Sequence, residues 1–316
     1  MLDNHLLSDW IVIGNGNQGS KHVRLLGSNC KRIIDTKSLD KGISQLKNYT
    51  HLGVKNVLIA TPESVKLHYI TESIDLNLNI FVEKPVPLEN DLSDNIREFL
   101  QNGNLYLTLY DHMFDTNIAL FVKRVFQMKL SDSSWYQFFA EYMFGTQELI
   151  KRSPWMDFGA GSWELVAPHI LKIGARCGLL DFDAMNFSYF YSELQSPSTV
   201  VGAYSNRGKS IQLMSSYNSW KNGFRIRMFY GSGFLEVNGL EKWGRSTFEE
   251  YKMDFSSNKP ELMNSNFSNH NPASYVERIH RNLGKIDLMD SFEDDIKIWK
   301  FLRAARLQLE IIKPSV

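Results

Sequence analysis

Followed by its apolar and polar positions, the first third of the chain repeats one unit, a short apolar run and then an amphipathic stretch. Ile11-Val12-Ile13 leads to Val23, Leu25 and Leu26 in a helical segment, and Lys31 to Asp35 is the next strand. Val54 to Ala60 reads as a buried strand, followed by Thr61-Pro62 and a helix from Ser64 to Leu76. Ile80 to Glu83 is a strand ending at Lys84-Pro85. Asp91 to Gln101 is a helix with Leu92, Ile96, Phe99 and Leu100 on one face, and Leu105 to Tyr110 closes the series. Strands alternating with helices predict a parallel, doubly wound α/β sheet, an N-terminal Rossmann domain over residues 1–112.

Beyond Asp111 the pattern turns aromatic and partly alternating, over Trp135 to Tyr142, Phe182 to Leu194, Thr199 to Ser205, Ile211 to Tyr217 and Phe224 to Tyr230. Turn signals separate these runs at Ser196-Pro197, Asn206-Arg207-Gly208, Asn222-Gly223 and Gly231-Ser232-Gly233. Long strands with short turns predict a large, mostly antiparallel open sheet, so residues 113–316 are expected to form a C-terminal α+β domain. An open sheet face commonly finds a partner, which predicts a homodimer or homotetramer through this sheet. Ser256 to Ser274, rich in Asn, Ser and Pro without periodicity, reads as a long loop or mobile lid. Asp290 to Leu309 closes the chain as a helix with Phe292, Ile296, Trp299, Leu302 and Leu309 along one face.

Composition narrows the function classes. The 35 basic and 35 acidic residues cancel, and no run of like charge points to nucleic acid or an anionic membrane as partner. A hydrophobic content of 43% with 20 Phe, 13 Tyr and 7 Trp is that of a folded enzyme or binding protein. Cys30 and Cys177 lie far apart without metal-ligand spacing, so buried thiols are expected, with neither a disulfide framework nor a metal site. No apolar run approaches the roughly 20 residues that span a bilayer. The N-terminus, with Asp3 and Asp9, leaves no room for a signal peptide, so a cytoplasmic location is expected.

The candidate chemistry begins after the first strand, at Gly14-Asn15-Gly16-Asn17-Gln18-Gly19. Such a turn lets backbone approach a pyrophosphate, which rests on free N–H groups at the positive end of the following helix. The first glycine makes the turn, the second leaves room for phosphate, and the third permits close helix-to-strand packing. Asp35 ends the second strand at the distance where an acidic residue accepts bonds from an adenosine ribose. Its charge repels a 2′-phosphate and favours NAD, while Lys31, Arg32 and Lys37 keep NADP open.

These residues, with His22 after the glycine turn, His68 after Ala60-Thr61-Pro62, Glu83-Lys84-Pro85, Gly159-Ala160-Gly161 leading to His169, and Phe229-Tyr230-Gly231-Ser232-Gly233, carry a resemblance in their order and spacing. The chain resembles, over most of its length, the Gfo/Idh/MocA group, the glucose–fructose oxidoreductase and inositol dehydrogenase family. The resemblance implies an NAD(P)-dependent oxidoreductase acting on a hydroxyl or ketone of a sugar, nucleotide sugar or cyclitol, with bacterial surface-polysaccharide synthesis as a setting. It places Gly14, Asn15, Gly16, Asn17, Gln18, Gly19, Asp35, Thr36, Ala60, Thr61, Pro62, His68, Glu83 and Lys84 along the cofactor. Lys84 would stand beside the reacting carbon, where an ammonium stabilises a developing alkoxide. His169 would exchange the proton at the substrate oxygen, a task suited to the unperturbed histidine pKa of about 6.5.

Two departures matter. Relatives usually carry Asp four residues before this His, where this chain has Leu165; Glu164 lies one residue earlier. On a continuous helix Glu164 would sit about 140° round from His169, given about 100° per residue. Pro168 suits a first helical turn and could start the helix late, which would let Glu164 reach the site as a catalytic residue; otherwise it is a surface carboxylate. His112 stands where relatives often have Arg near a Phe and is the candidate to replace it. Trp155 and Asp157, with Tyr142 and Arg152, could line the substrate pocket, the alternative being an aromatic interface with an ordinary turn carboxylate. The rival function is a non-catalytic dinucleotide-binding sensor or partner subunit of the same fold.

Overall fold

The computed structural model describes residues 9–35, 38–110, 115–130, 135–145, 157, 159–180, 185–206, 208–239, 245–254, 256–269 and 287–312. The chain divides into two compact units, one drawn from the described residues of Met1–Tyr110 and Ala273–Trp299, the other from those of Asp111–Pro272 and Lys300–Val316.

The first unit runs β1 (Trp10–Ile13), α1 (Asn17–Leu26), β2 (Cys30–Ile34), α2 (Leu39–His51), β3 (Asn56–Ile59), α3 (Glu63–Asp75), β4 (Asn79–Glu83), α4 (Asn90–Gln101) and β5 (Tyr106–Leu109). Its strands form one parallel sheet in the order β2-β1-β3-β4-β5, the predicted doubly wound arrangement. Helices on both faces leave no polar side for a central strand. Ile11, Val12, Ile13, Val57, Ile59, Ile80, Phe81 and Val82 are accordingly 0% exposed, which is why these strands read as unbroken apolar runs. The order reverses beside β1, and a ligand crevice belongs at the carboxyl ends of strands flanking such a reversal. Ile13 is paired with both Ile34 and Ile59, Ile59 with Val82, and Glu83 with Leu109. This register puts Gly14, Asp35, Ala60 and Lys84 at one edge of the sheet.

The second unit contains α5 (Thr116–Leu130), β6 (Trp135–Gly145), α6 (Ser162–Leu165), α7 (Ala167–Arg176), β7 (Asn186–Phe190), β8 (Thr199–Asn206), β9 (Lys209–Ser216), β10 (Asn218–Tyr230), β11 (Gly233–Gly239), β12 (Arg245–Asp254) and β13 (Lys259–Asn269). Its sheet has the order β13-β12-β11-β10-β6-β9-β8-β7, antiparallel except for the β6–β9 pair. Helix α5 packs on β11 to β13, α6 on β8 and β9, and α7 on β6 and β9. Along β6 the buried Phe138, Ala140 and Tyr142 alternate with the half-buried Gln137, Phe139, Glu141 and Met143, as a sheet covered mainly on one face requires. The last helix, α8 (Leu288–Ile312), crosses the division, and its predicted stripe is found: Phe292, Trp299, Leu302 and Leu309 are buried and Ile296 half-buried.

Three expectations are corrected, and one helix was not foreseen. Much of Ser256 to Ser274 is strand β13 and its turn from β12, not a loop; as an edge strand exposed along nearly its whole length it has no buried face to impose a period. Asn222-Gly223 is no turn but part of β10, at an irregularity opposite β6 where the Asn222 side chain accepts the Gly145 N–H at 2.9 Å. Cys177 is buried, but Cys30 is half-buried because it starts the edge strand β2. Helix α5 has no counterpart among the predicted elements, although Ile118, Phe121, Val125 and Met128 recur at helical spacing and are all buried. Among the described residues no helix is long and apolar enough to cross a membrane.

A buried polar knot fixes the start of α5. Asp115 accepts the N–H groups of Asn117 and Ile118 at 2.7 and 3.2 Å, and Asn117, itself fully buried, donates to the Ser246 carbonyl and hydroxyl at 2.9 Å while accepting from Asn266. Removing this amide strands buried partners, so Asn117→Ala should cost about 1–3 kcal/mol, read by urea unfolding followed through the second unit's aromatic signal.

Candidate functional site

In the first unit the three turn glycines have three separate steric tasks. Gly14 has φ of +102°, and a Cβ there would stand 2.3 Å from the Ala60 carbonyl oxygen. A Cβ on Gly19 would fall 1.8 Å from the Gly14 carbonyl oxygen, so only glycine lets α1 lie this close to the turn. Around Gly16, by contrast, an added Cβ meets nothing within 4 Å, so the middle of the turn opens onto free space. Helix α1 starts there with no side-chain cap and no acidic residue in its first turn. Its first N–H groups lack intrahelical acceptors and carry the positive end of the dipole, which suits an anion. Beside this turn the Thr61 hydroxyl is buried with no hydrogen-bond partner among the described residues. Asp35 follows β2, exposed at the same edge. An orphan hydroxyl, an open glycine and an uncapped helix start at one crevice fit a dinucleotide pyrophosphate.

The end of β4 is fixed by charges. His22, one turn past Gly19 on α1 and 1% exposed, lies with Nε2 2.6 Å from Oε1 of Glu83. Burial resists ionisation of Glu83, yet the hydrogen bond and charge of His22, with Lys84 and Lys21 beyond, hold its carboxyl below the ordinary 4.5. From α3, Lys66 donates to the carbonyl oxygens of Glu83 and Pro85, each at 2.6 Å. Burial pulls the Lys66 ammonium down to about 8, against the attraction of Glu83 and Glu63 and with the repulsion of Lys84. Lys84 lies between the two bonded carbonyls, half-buried, with a cis bond to Pro85. His68, expected along the cofactor, is exposed on α3; the residue of that helix that reaches the Glu83 to Pro85 segment is Lys66.

In the second unit His169 sits in the first turn of α7, 5% exposed, its ring stacked on Tyr142 with centroids 5.4 Å apart. Pro168 is in that first turn, as the sequence suggested, and the break before α7 leaves Glu164 on the separate short helix α6. The Glu164 carboxylate, 2% exposed, accepts Arg306 Nε and Nη2 at 2.9 and 2.7 Å and the Ala160 N–H at 2.8 Å. Asp157 accepts the N–H groups of Gln195 and Ser196 at 2.9 and 2.7 Å, tying two chain segments together. Thr36, His112, Arg152 and Trp155 lie outside the described residues. Sequence reasoning missed Lys66, Arg306 and Lys172, the last 1% exposed and three residues past His169. A lone Lys in the apolar run Ala167 to Ala175 was a signal for Lys172; nothing local marks Arg306. Among the described residues no group of three His, Cys, Asp or Glu side chains is gathered to hold a metal ion.

No protein-family model and no curated protein matches this sequence. Solved structures do. The UDP-N-acetylglucosamine 3-dehydrogenase GnnA from Acidithiobacillus ferrooxidans superposes with a TM-score of 0.67 at 16% identity, over 95% of each chain. Levoglucosan dehydrogenase in complex with NADH and L-sorbose gives 0.69 at 10% identity, over 94% of this chain and 96% of that one. An inositol dehydrogenase homologue from Azotobacter vinelandii, complexed with NADH and myo-inositol, gives 0.64 at 13%, over 94% and 95%. At these identities the likeness establishes the two-domain fold.

A carboxyl whose native pKa lies below its unfolded 4.5 contributes stability that is complete above that value and lost as pH falls through the native pKa. The stability gap between wild type and Glu83→Gln, measured by chemical unfolding, should therefore be full at neutral pH and narrow as the pH falls below 4.5 and through the native pKa.

Proposed function

We propose that the chain is a nicotinamide-dependent oxidoreductase of the Gfo/Idh/MocA type, acting on a hydroxyl or ketone carbon of a sugar, nucleotide sugar or cyclitol. The observation that carries this reading is the division of labour in the glycine turn, with two positions closed to any side chain and the one between them open, beneath an uncapped helix start. The fold shared with sugar and cyclitol dehydrogenases seen with NADH supports it. Gly14 to Gly19 would hold the pyrophosphate, Asp35 the adenosine ribose, which favours NAD over NADP, and Thr61 would spend its unpaired hydroxyl on the same ligand. The bound nicotinamide supplies or accepts the hydride. Lys84 stabilises negative charge on the substrate oxygen, and His169 takes or returns its proton. His112, Trp155 and Asp157 remain our candidates for substrate contacts. A nucleotide-sugar substrate in surface-polysaccharide synthesis, a cytoplasmic location and assembly through the second unit's sheet complete the proposal. Assembly is supported by the half-buried cluster of Phe229, Phe234 and Tyr251 with Arg227 over the first two rings.

One observation favours the rival, non-catalytic reading: Leu165 occupies the acidic position of the relatives, and the neighbouring Glu164 carboxylate is already held by Arg306 and Ala160. Calorimetry and turnover separate the two. The wild type should bind NADH, and NADPH more weakly, and should reduce NAD+ with UDP-N-acetylglucosamine or myo-inositol. Lys84→Ala and His169→Asn should each lower kcat by about 10²–10⁴-fold with dinucleotide affinity retained. Binding without turnover of either probe would favour the sensor; no binding of either dinucleotide would overturn both readings.

The glycines give an independent check. Gly16→Ala should fold with stability within about 1 kcal/mol of wild type but bind NADH at least tenfold more weakly, because its methyl occupies the open space. Gly19→Ala should instead lose about 3 kcal/mol in thermal or chemical unfolding, because its methyl strikes backbone.

A further inference from the structure

The buried lysine on α3 is expensive and oddly placed. Lys66 is 2% exposed, and removing an ammonium from water costs several kcal/mol unless its bonds are very good. Packing alone would be served at least as well by Met or Leu of similar volume. What an apolar side chain lacks is direction. The Lys66 Nζ is 2.6 Å from the carbonyl oxygens of Glu83 and of Pro85, the residues on either side of Lys84. Pro85 lies beyond Glu83, the last paired residue of β4, so this backbone has left the sheet that would otherwise hold it. Charge-assisted bonds are the short, strong kind, and two of them from one nitrogen fix the spacing of their acceptors. On the far side of the same segment the His22 bond holds the Glu83 side chain.

We propose that Lys66 is a positioning residue for the reaction: it clamps the carbonyls flanking Lys84 and so sets the point and direction from which the Lys84 side chain leaves the sheet edge. The role rests on the oxidoreductase reading, in which Lys84 meets the substrate oxygen. Lys66 itself touches no reacting atom. A misplacement of about 1 Å in such a group costs on the order of 10²-fold in rate, which sets the size of the effect.

The test compares wild type, Lys66→Met, Lys84→Ala and the double variant, with NAD+ and UDP-N-acetylglucosamine as probes. Lys66→Met should lower kcat by about 10²-fold with KM and NADH affinity within about threefold, and should add nothing to the loss in the Lys84→Ala background. Independently of turnover, amide hydrogen exchange at Lys84 and Val86 should speed up at least about tenfold in Lys66→Met, with Ile80 to Val82 unchanged. Should Lys66→Met fail to fold, Lys66→Arg takes its place. It keeps the charge, but its longer, planar head cannot take the place of a single tetrahedral Nζ between the two carbonyls, so kcat should fall with NADH affinity held. Unchanged kcat and exchange in the Lys66 variant, beside a crippled Lys84→Ala, overturn the positioning role alone. Wild-type turnover in Lys84→Ala overturns the part given to Lys84, and this role with it, and leaves the oxidoreductase reading standing; no binding of either dinucleotide overturns that reading.

Discussion

The contact on which the first unit depends is the approach of α1 to the turn that precedes it, where a Cβ on Gly19 would sit 1.8 Å from the Gly14 carbonyl oxygen. A helix that close to the sheet edge delivers its bare N–H groups to the crevice beside β1, where the strand order reverses. It also carries His22 down to the end of β4, into hydrogen-bond reach of Glu83. One backbone approach thus bears both on the open glycine turn and on the end of β4 at Glu83. Any larger residue at the third glycine would press its Cβ into the Gly14 carbonyl, so the helix that carries His22 or the turn before it would have to shift.

How much of this could be read from the chain follows from how local each demand is. The glycine turn is legible because each glycine answers a steric condition set within a few residues of itself or by the adjacent strand. The parallel sheet is legible because strands covered on both faces must be apolar throughout. Lys66 is not legible, since a lysine two residues before His68 on an amphipathic helix reads as a solvated side chain. Only the register of α3 on the sheet turns it inward. Glu164 is an intermediate case. The break before Pro168 was predictable from proline's place in a first helical turn, but the fate of the carboxylate was not, because Arg306 comes from 142 residues away.

The second unit shows the opposite failure. Its β13 sits at the sheet edge with nearly every side chain exposed, so polar composition says loop while the backbone pairs with β12 from Arg245–Asn269 to Asp254–Lys259. Helix α5 had the right apolar spacing but β-branched and aromatic residues at much of it, which favour strand by propensity. In both places tertiary pairing overrides a local preference, and in neither does the error reach the residues assigned to chemistry.

The two buried ions are best understood together. Lys66 gathers two carbonyl oxygens at a segment leaving a strand, and Glu164 gathers an amide and a guanidinium where Gly159 and Gly161, with φ of +52° and +56°, bend the chain into a helix. In each case irregular backbone turns polar groups inward, two carbonyls at Lys66 and the Ala160 N–H at Glu164, and leaving such groups unmatched in a dry interior costs about 1–3 kcal/mol apiece. A fixed charge of the opposite sign satisfies them and at the same time removes the freedom of the segment. The segment so held leads, in the first unit, to Lys84, and in the second to the helix bearing His169. In each unit the charge is set beside, and not upon, the residue to which the proposed chemistry is given, so the ion that orders the segment and the group proposed to react are separate side chains.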